Sequence, residues 1–406
     1  MRFPEIWLFC RYIPIQAELK IAHFVIDSIQ TSTAYHFFSE VNPEGNEYFL
    51  WLDLPESKFV SDLPFRKLLF KDLSDSEFLS QIQNYELVIF HSLPIAFEKI
   101  LLRLESRTPV LWVGWGYDYY DLMWDSGESV FYPQTRDLNR KLKFGKSGIL
   151  ISTKEQVKKL FNSWGISKRR VSKLKALEKV TYFSPALESE FQFLLAKFPK
   201  VFQGVKFMDW WYSSSEFHPE ELDFDGDSRD SVLLGNSAYP TNNHLDALSW
   251  LTRSRELKGR RVLCPLNYGD PKYREVILKE GKKLLGQQFV PILDVVPKIE
   301  YFRLLSSCSH AVLLHRRQQA GGTILFLVYF GTRVILPEES LLFSYLRKEG
   351  IYLNSVEEVK KEPKLLTMPL TSFEINANKQ KIIQIKGQVW ARKQMTNFLS
   401  VIPTRS

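Results

Sequence analysis

The stretch LLHRRQQAGGTILFLVYFGTRVILP, from Leu313 to Pro337, places a polar loop between two apolar runs. The first run is typical of a buried strand, and the loop after it holds two arginines, two glutamines and a Gly-Gly-Thr. We expect Thr323 to start the next helix, because threonine is a favoured residue at a helix N-terminus. Ligands of open α/β sheets bind outside the carboxyl ends of the strands, so this loop predicts a binding site in an α/β domain.

The same alternation of short apolar runs and longer amphipathic ones recurs along the chain and predicts parallel α/β structure. One set of predicted strands runs from KIAHFVI at residue 20 to KVTYF at residue 179, and a second from SVLLG at residue 231 to TRVILP at residue 332. We therefore predict two Rossmann-like α/β domains facing a cleft. They span residues 1–204 and 231–378, with an acidic interdomain linker at 205–230 and a helical tail at 379–406.

Cysteine content and hydropathy restrict the class of protein. The three cysteines, Cys10, Cys264 and Cys308, have no His or Cys neighbours at metal-ligand spacing. Their number and spacing predict a reducing compartment, no disulfide framework and no zinc site. The longest apolar run, from Ala320 to Thr332, is shorter than the ~20 residues of a membrane-spanning helix. We expect no segment of the chain to cross a membrane.

The formal net charge of +8 is concentrated in one basic segment, residues 136–179. That segment holds 14 Lys and Arg against three acidic residues, whereas the rest of the chain holds 40 basic and 43 acidic residues. A nucleic acid or anionic lipid headgroups could bind such a surface through phosphate, and a pair of solvated helices is the alternative without a ligand. No zinc-finger, RNA-recognition or helix-turn-helix signature accompanies the segment, which favours a membrane surface over nucleic acid.

Two loops of the second predicted domain form a candidate site for a nucleotide diphosphate. A Gly-Asn-Ser turn after VLL leaves backbone N–H groups free for a phosphate at a helix N-terminus. Arginine can neutralise a diphosphate without a metal ion, and glutamine can bind hydroxyls or a base edge. Taken singly, such loops also occur for purely conformational reasons. The residues assigned to this site are Gly235, Asn236, Ser237, Arg316, Arg317, Gln318, Gln319, Gly321, Gly322 and Thr323.

The stretch VLWVGWGYDYYDLMW, residues 110–124, is the corresponding strand end of the first predicted domain. Asp118 lies there among tryptophans and tyrosines, and a carboxylate beside aromatic rings suits a sugar and a hydroxyl to be deprotonated. Core packing is the alternative role of the aromatic residues. His91 and Asp27 follow equivalent strands, where they either join the same site or cap a helix.

Four motifs, in this order, resemble one enzyme family: WVGWGYDYYDL, VLLGNSAYPTNNHLDAL, VLCPLNYGDPKYREVI and RRQQAGGTILFLVYFGTRVIL. The family is that of the TDP-N-acetylfucosamine:lipid II N-acetylfucosaminyltransferases, the 4-alpha-L-fucosyltransferase-like glycosyltransferase family 56. The resemblance covers about residues 20 to 355 and is strongest from residue 231. Two motifs depart from the family pattern. Where the family has Gln-Gln-Gly-x-Gly-Thr, this chain has Gln318 to Thr323, with Ala320 and Gly321 in the place of Gly-x. Where the family has Pro-x-Gly-Tyr, this chain has Pro-Leu-Asn-Tyr from Pro265 to Tyr268.

The resemblance implies a two-domain glycosyltransferase of the B type that needs no metal or cofactor. Its second domain would bind a TDP-linked amino-deoxyhexose, with Tyr268 on the donor side. Its first domain would bind a polyprenyl-diphosphate-linked glycan. From the residues at the strand ends, our hypothesis is that Asp118 is the general base, with His91 as the second choice, and that Trp115, Tyr117 and Asp27 bind this acceptor.

The resemblance also implies a place in the cell. The protein would be peripheral on the inner face of the bacterial cytoplasmic membrane, with segment 136–179 facing the lipid and no nucleic acid as partner. The C-terminal helix would cross back onto the first domain. Two alternatives stay open at this point. One is a glycosyltransferase of the same fold that uses a UDP-sugar for O-antigen or capsule, and the other is a non-catalytic protein that binds nucleotides or nucleic acid.

Overall fold

The computed structural model describes most of the 406-residue chain. The described residues are 19–52, 57, 59–105, 107–124, 129–144, 168–215, 217, 219, 222, 224, 229–254, 256–257 and 259–404. Residues 145–167 of the basic segment and most of the acidic stretch at 220–228 lie outside them.

The first domain is built on a sheet of seven parallel strands in the order β3-β2-β1-β4-β5-β6-β7. The order reverses between β1 and β4, where Ile21 of β1 pairs with both Asn46 of β2 and Leu87 of β4. The strands are β1 (Ile21–Ile26), β2 (Asn46–Trp51), β3 (Arg66–Leu68), β4 (Leu87–Phe90), β5 (Val110–Val113), β6 (Tyr182–Ser184) and β7 (Lys206–Phe207).

Helices cover both faces of this sheet, because each parallel crossover requires a return connection. They are α1 (Ile29–Val41), α2 (Ser76–Ile82), α3 (Ile95–Leu101), α4 (Tyr120–Met123), α5 (Pro133–Phe144), α6 (Glu188–Lys197), α7 (Pro199–Phe202) and α8 (Tyr212–Ser215). Residues 168–177 are also helical, and Asp72–Ser74 form a short 3-10 helix.

The second domain repeats the arrangement with six parallel strands in the order β10-β9-β8-β11-β12-β13. Its strands are β8 (Ser231–Leu234), β9 (Val262–Pro265), β10 (Phe289–Ile292), β11 (Cys308–Val312), β12 (Arg333–Leu336) and β13 (Asn354–Ser355). Its helices are α9 (His244–Ser254), α10 (Pro271–Leu285), α11 (Lys298–Ser306), α12 (Gly321–Tyr329), α13 (Leu341–Lys348) and α14 (Val356–Lys361), followed by α15 (Ser372–Lys386) and α16 (Gln388–Ser400). The prediction of two Rossmann-like α/β domains is confirmed.

Both faces of the first sheet are buried at its central strands, which explains why β1, β4 and β5 are apolar at nearly every position. Trp112 faces a cluster with Phe24 and Phe90, and the preceding residue, Leu111, faces the opposite cluster with Trp210. All five side chains are fully buried. The strands therefore read as continuous apolar runs, and these were visible in the sequence.

Two segments depart from the predicted domain boundaries, and a third, the C-terminal helix, packs on the first domain as the resemblance implied. Lys206–Phe207, inside the predicted linker, forms the edge strand β7 of the first sheet. Residues 130–144, counted with the first domain, pack on the second, where the carboxylate of Asp246 accepts from the N–H groups of Gln134 and Thr135 at 3.0 and 2.9 Å. Helix α16 contributes Met395 to the buried cluster of the first domain. The two domains are thus connected by segments that cross in both directions.

Candidate functional site

Three loops meet at the carboxyl ends of β8, β9 and β11, at the point where the order of the second sheet reverses. The amide of Asn236 donates to the Tyr268 hydroxyl at 3.1 Å and accepts from Gln319 Nε2 at 2.9 Å. The hydroxyl of Thr241 donates to Gln319 Oε1 at 2.7 Å. Asn236, Tyr268 and Gln319, which the sequence placed on the donor side, are therefore brought together in one hydrogen-bonded group.

Buried polar residues behind the loop that begins at Gly235 hold it in place. Gly235 has φ +68°, and a Cβ at this position would lie 2.4 Å from Nε2 of His244. Asn242 Oδ1 accepts from the backbone N–H of Asn236 at 2.9 Å and from His315 Nε2 at 2.8 Å. Burial lowers the pKa of His244 and of His315 to about 3, so both rings are neutral at pH 7. Close packing therefore requires glycine at position 235.

Helix α12 begins at Gly321, two residues earlier than expected, so the prediction that Thr323 starts it is wrong. The residue before the helix is Ala320, in the left-handed region at φ 58° and ψ 30°, and it makes no side-chain cap. The hydroxyl of Thr323 lies 3.4 Å from that of Tyr301 instead. The N–H groups of the first helical turn have no intrahelical partner. Together with the helix dipole, they form a site suited to an anion.

The two arginines of the loop have different surroundings. Arg316 pairs with Glu339 at 3.2 Å, donates to the Ser129 carbonyl at 2.7 Å and lies over the Tyr132 ring. Its predicted role in donor binding is corrected by these contacts, because they commit the guanidinium to holding residues 129–132 on the second domain. Arg317 forms no ion pair within 4.0 Å with a described carboxylate. It donates to Gln319 Oε1 at 3.3 Å.

Arg317 also reaches across to the first domain. Its guanidinium carbon lies 5.6 Å from the centre of the Tyr120 ring, and desolvation lowers its pKa without removing the charge. The Tyr120 hydroxyl lies 3.2 Å from the carbonyl oxygen of Gln318. The loops that the sequence singled out in the two domains therefore face each other across a narrow cleft.

Glu190, in the first turn of α6, is buried beneath this contact. Its carboxylate accepts from the hydroxyl of Tyr119 at 2.8 Å, from the hydroxyl of Tyr120, and from the N–H of Leu187. Burial raises the pKa of Glu190 to about 7, and the donated hydrogen bonds offset part of that rise. The sequence analysis missed this residue. Its position after β6 was a signal, but its pairing with two tyrosines of another loop is visible only in the structure.

Protonation of Glu190 changes what Tyr120 can do, because the phenol has a single proton. When Glu190 is ionised, Tyr120 donates to it and the Gln318 carbonyl receives nothing from this hydroxyl. When Glu190 is protonated, it can donate to the Tyr120 oxygen, and Tyr120 is then free to donate to Gln318. The hydrogen bond between the two domains is thus linked to the ionisation of Glu190.

Asp118 does not face the cleft, although it was predicted to be the general base. One oxygen accepts from the backbone N–H of Trp115 at 2.8 Å, and the other from the N–H of Leu93 and the indole of Trp112, at 2.9 and 3.0 Å. The side chain is 2% exposed, and burial raises its pKa. The carboxylate joins two strand-end loops of the first domain, and both of its oxygens already accept hydrogen bonds from them.

His91 is also enclosed. Its Nε2 lies 2.9 Å from His23 Nδ1, and its Nδ1 lies 2.6 Å from the Tyr212 hydroxyl. Burial holds the pKa of His91 well below its ordinary value, so the ring is neutral and fully occupied by internal partners. The alternative role as general base is therefore not supported by its position.

The predicted acceptor residues lie at the carboxyl edge of the first sheet. Asp27, which follows β1 at the reversal of strand order, is partly exposed and accepts from the Ser57 hydroxyl and the Phe59 N–H, both at 2.9 Å. Tyr117 is half exposed, and its ring meets that of Trp115 edge to face at 6.3 Å. Asp27 and Tyr117 are thus partly exposed at this edge of the sheet, whereas Asp118 and His91 are buried and support the loops.

Two features are absent from the part of the chain that the structure describes. No group of three or more His, Cys, Asp or Glu side chains in that part is arranged to hold a metal ion. None of its helices combines the length and the apolar character that crossing a bilayer requires.

Two parallel-sheet domains, with ligand loops facing each other at the strand ends, define the fold of B-type glycosyltransferases. Solved structures with this fold include a glycosyltransferase from Rickettsia africae, with a TM-score of 0.63, 12% identity and coverage of 96% of this chain and 100% of that one. An Anabaena protein in complex with UDP and glucose has a TM-score of 0.58 and 9% identity over 94% and 99% of the two chains. Sucrose-phosphate synthase from Thermosynechococcus elongatus has a TM-score of 0.57 and 11% identity over 93% and 97%.

One family of glycosyltransferases matches part of this chain. Residues 186–363 match the family described as 4-alpha-L-fucosyltransferase, glycosyl transferase group 56. The resemblance found in the sequence is confirmed, and the chain is a glycosyltransferase. The matched range contains the donor-side loops at Gly235, Tyr268 and Arg317, and it also includes Glu190 of the first domain.

Proposed function

We propose that the protein transfers an amino-deoxyhexose, such as 4-acetamido-4,6-dideoxygalactose, from a TDP-sugar to a polyprenyl-diphosphate-linked glycan in bacterial surface polysaccharide synthesis. The observation that carries the proposal is the group of loops at the strand-order reversal of the second domain. There, Arg317 and the start of α12 present a cation and unpaired N–H groups beside the amides of Asn236 and Gln319.

Each part of this group has a role in the proposed transfer. The diphosphate gains negative charge as the bond to the sugar breaks, and preorganised cations and N–H groups stabilise that charge. Arg317 and the N–H groups of Gly321 to Thr323 are placed to do so. Asn236, Tyr268 and Gln319 offer amide and hydroxyl groups for the nucleotide or the sugar.

The acceptor binds, in this proposal, in the crevice of the first domain. Asp27 is the carboxylate at the strand-order reversal that remains partly exposed, and the half-exposed Tyr117 can stack on a sugar ring. We place the acceptor hydroxyl near these two residues. A lipid-linked acceptor would also require the chain to work at the inner face of the cytoplasmic membrane.

A UDP-sugar donor is the second candidate. It is favoured by one specific comparison, the similar fold of the Anabaena protein that was crystallised with UDP and glucose. The proposed diphosphate contacts are the same for both nucleotides, so the two candidates differ in the contacts to the base and the sugar.

The donor site is tested by thermal unfolding of the purified protein with a panel of nucleoside diphosphates, because a ligand of the native state raises the melting temperature. We expect TDP to give the largest rise. In Arg317→Ala, the affinity should fall about tenfold or more, since a hydrogen bond from a charged donor contributes roughly 1.5–3 kcal/mol.

The matched control is Arg303→Ala, which removes an exposed arginine of the same domain and should leave the rise unchanged. A larger rise with UDP than with TDP would identify the second candidate. The proposed site is contradicted if no nucleoside diphosphate raises the melting temperature, or if Arg317→Ala responds as the unmodified protein does.

A further inference from the structure

A groove of about 350 Å³ lies on the helical layer of the first domain, between the turn that follows β3 and helix α3. None of its residues belongs to the cleft loops described above. The residues that line it are Phe70, Leu73, Ser74, Lys99, Leu102 and Arg103.

The groove is apolar and its apolar side chains reach solvent. Phe70 is 72% exposed, and its neighbour Leu69 is 55% exposed. A phenylalanine exposed to this degree on a turn lacks the favourable free energy that burial of its ring would contribute. Exposed apolar surface next to a groove is typical of a binding site for another apolar surface.

Cations surround this apolar surface. The Lys99 ammonium lies 4.9 Å from the centre of the Phe70 ring, and Arg103 lines the groove with its guanidinium on the Leu73 carbonyl at 2.7 Å. Lys71 follows Phe70 on the exposed turn. Lysine and arginine near an apolar surface can keep their charged ends in water while their stems remain on the apolar groups.

None of the acidic side chains of the same segments lines the groove. Asp72 is buried and accepts from the N–H of Leu69 at 2.7 Å. Glu98 is 5% exposed, and burial raises its pKa. Asp75 caps the start of α2, where its side chain accepts from two backbone N–H groups. The charged side chains that line the groove itself are therefore both cations, Lys99 and Arg103.

We propose that this groove docks the protein on a membrane surface by binding anionic phospholipid. Phe70 and Leu69 enter the boundary between headgroups and acyl chains, an acyl chain occupies the groove, and Lys99 and Arg103 bind lipid phosphate. The complementarity is of two kinds, apolar surface for the chain and positive charge for the headgroup. The inference goes beyond the proposed function, on which it rests only in that a lipid-linked acceptor brings the enzyme to a membrane.

The test is co-sedimentation of the full chain with vesicles of phosphatidylcholine alone or mixed with phosphatidylglycerol. We expect binding to the mixed vesicles that weakens as salt is added. Lys99→Glu should weaken it roughly tenfold or more, because each charge near an anionic surface contributes about a factor of five. Phe70→Ser should weaken it about tenfold through the lost apolar burial.

Two matched controls carry the same changes elsewhere. Phe373→Ser alters a phenylalanine of the second domain that is also 72% exposed, and Lys361→Glu alters an exposed lysine of that domain. Both should bind vesicles as the unmodified protein does. All four variants should keep the rise in melting temperature with nucleoside diphosphate, which separates this proposal from the donor site.

Three results would overturn the proposal. The first is unchanged binding by Phe70→Ser and Lys99→Glu. The second is an equal loss in Lys361→Glu, which would show a diffuse charge effect. The third is no binding of the unmodified protein to mixed vesicles while its nucleotide response is intact, a result that would leave the donor site standing.

Discussion

Glu190 shows how one residue acquires its chemistry from its neighbours. In the sequence it is one of the two glutamates in ALESE, and nothing distinguishes it. In the structure it is fully buried between two tyrosine hydroxyls, one of which lies at the contact between the domains. The raised pKa follows from the burial, because the charged form of a carboxyl is disfavoured away from water.

The raised pKa makes stability depend on pH. The pKa of Glu190 is about 7 in the folded chain against 4.5 for an unperturbed glutamate. Between these values the folded protein holds a proton that the unfolded chain has released. The resulting stabilisation is complete below about pH 4.5 and is lost as pH rises through 7.

We therefore expect Glu190→Gln to remove part of this pH dependence. Glutamine does not titrate, and its amide can donate to Tyr120 as a protonated glutamate does. From pH 5 to pH 8, the unfolding free energy of the variant should rise relative to the unmodified protein, by up to about 3 kcal/mol. Urea denaturation at the two pH values measures this. An equal pH dependence in both proteins would show that Glu190 is ionised throughout.

Single residues also mark the limit of the sequence analysis of the site. The Arg-Arg pair was recognised, but only Arg317 faces the cleft, whereas Arg316 is taken by Glu339 and the Ser129 carbonyl. Asp118 was chosen because it lies among aromatic residues. The same aromatic packing buries it, so its carboxylate supports the loop instead of meeting a substrate.

At the scale of elements, the start of helix α12 departs from the family sequence at a residue that has an unusual backbone conformation. The family pattern has glycine where this chain has Ala320, and Ala320 adopts φ 58°. The left-handed region disfavours residues with a Cβ by roughly 1–2 kcal/mol. The glycine of the family pattern is therefore the residue that this helix start suits best.

Ala320→Gly should stabilise the protein for that reason. We expect the unfolding free energy to rise by about 1 kcal/mol at most, because the greater freedom of glycine in the unfolded chain offsets part of the relieved strain. The denaturation midpoint measures the effect. As a control, Ala247→Gly in helix α9 has no strain to relieve and should lower stability. A loss of stability in Ala320→Gly would mean that the strain at this position is negligible.

Most other elements followed from periodicity. The predicted strand KIAHFVI and the apolar run at the start of residues 110–124 match β1 and β5 closely, because a doubly covered parallel strand is a continuous apolar run. Strands β3 and β7 were missed because they have only three and two residues and lie at the sheet edges. At that length, no periodicity exists to be recognised.

At the scale of the whole molecule, the end of the chain completes the first domain. Helix α15 is capped by Thr371 and ends at Gly387, and the following helix, α16, inserts Met395 into the cluster around Trp210. Lys386, just before the bend, pairs with Asp209 at 3.0 Å. The C-terminal helix therefore packs on the first domain and stabilises it.

Met395→Ala should accordingly destabilise the first domain, although the residue lies near the C-terminus. The side chain is fully buried, and removing it should cost about 2–5 kcal/mol. Hydrogen exchange should show the loss in strands β1 to β5, and denaturation should give its size. Met368→Ala, at a methionine that is 48% exposed, is the control and should be nearly neutral. Equal effects of the two changes would contradict the packing of α16.

The sequence by itself determined the two α/β domains, the positions of most strands along the chain and the loops that carry ligands, because these follow from local periodicity and from the rule that ligands bind at strand ends. Only the tertiary structure decided which side chains face the cleft, that residues 130–144 pack on the second domain, and that Glu190 lies beneath the contact of the two domains. The physical reason is that burial, ionisation and hydrogen-bond partners are set by residues distant in the chain, and no local pattern records which ones they are.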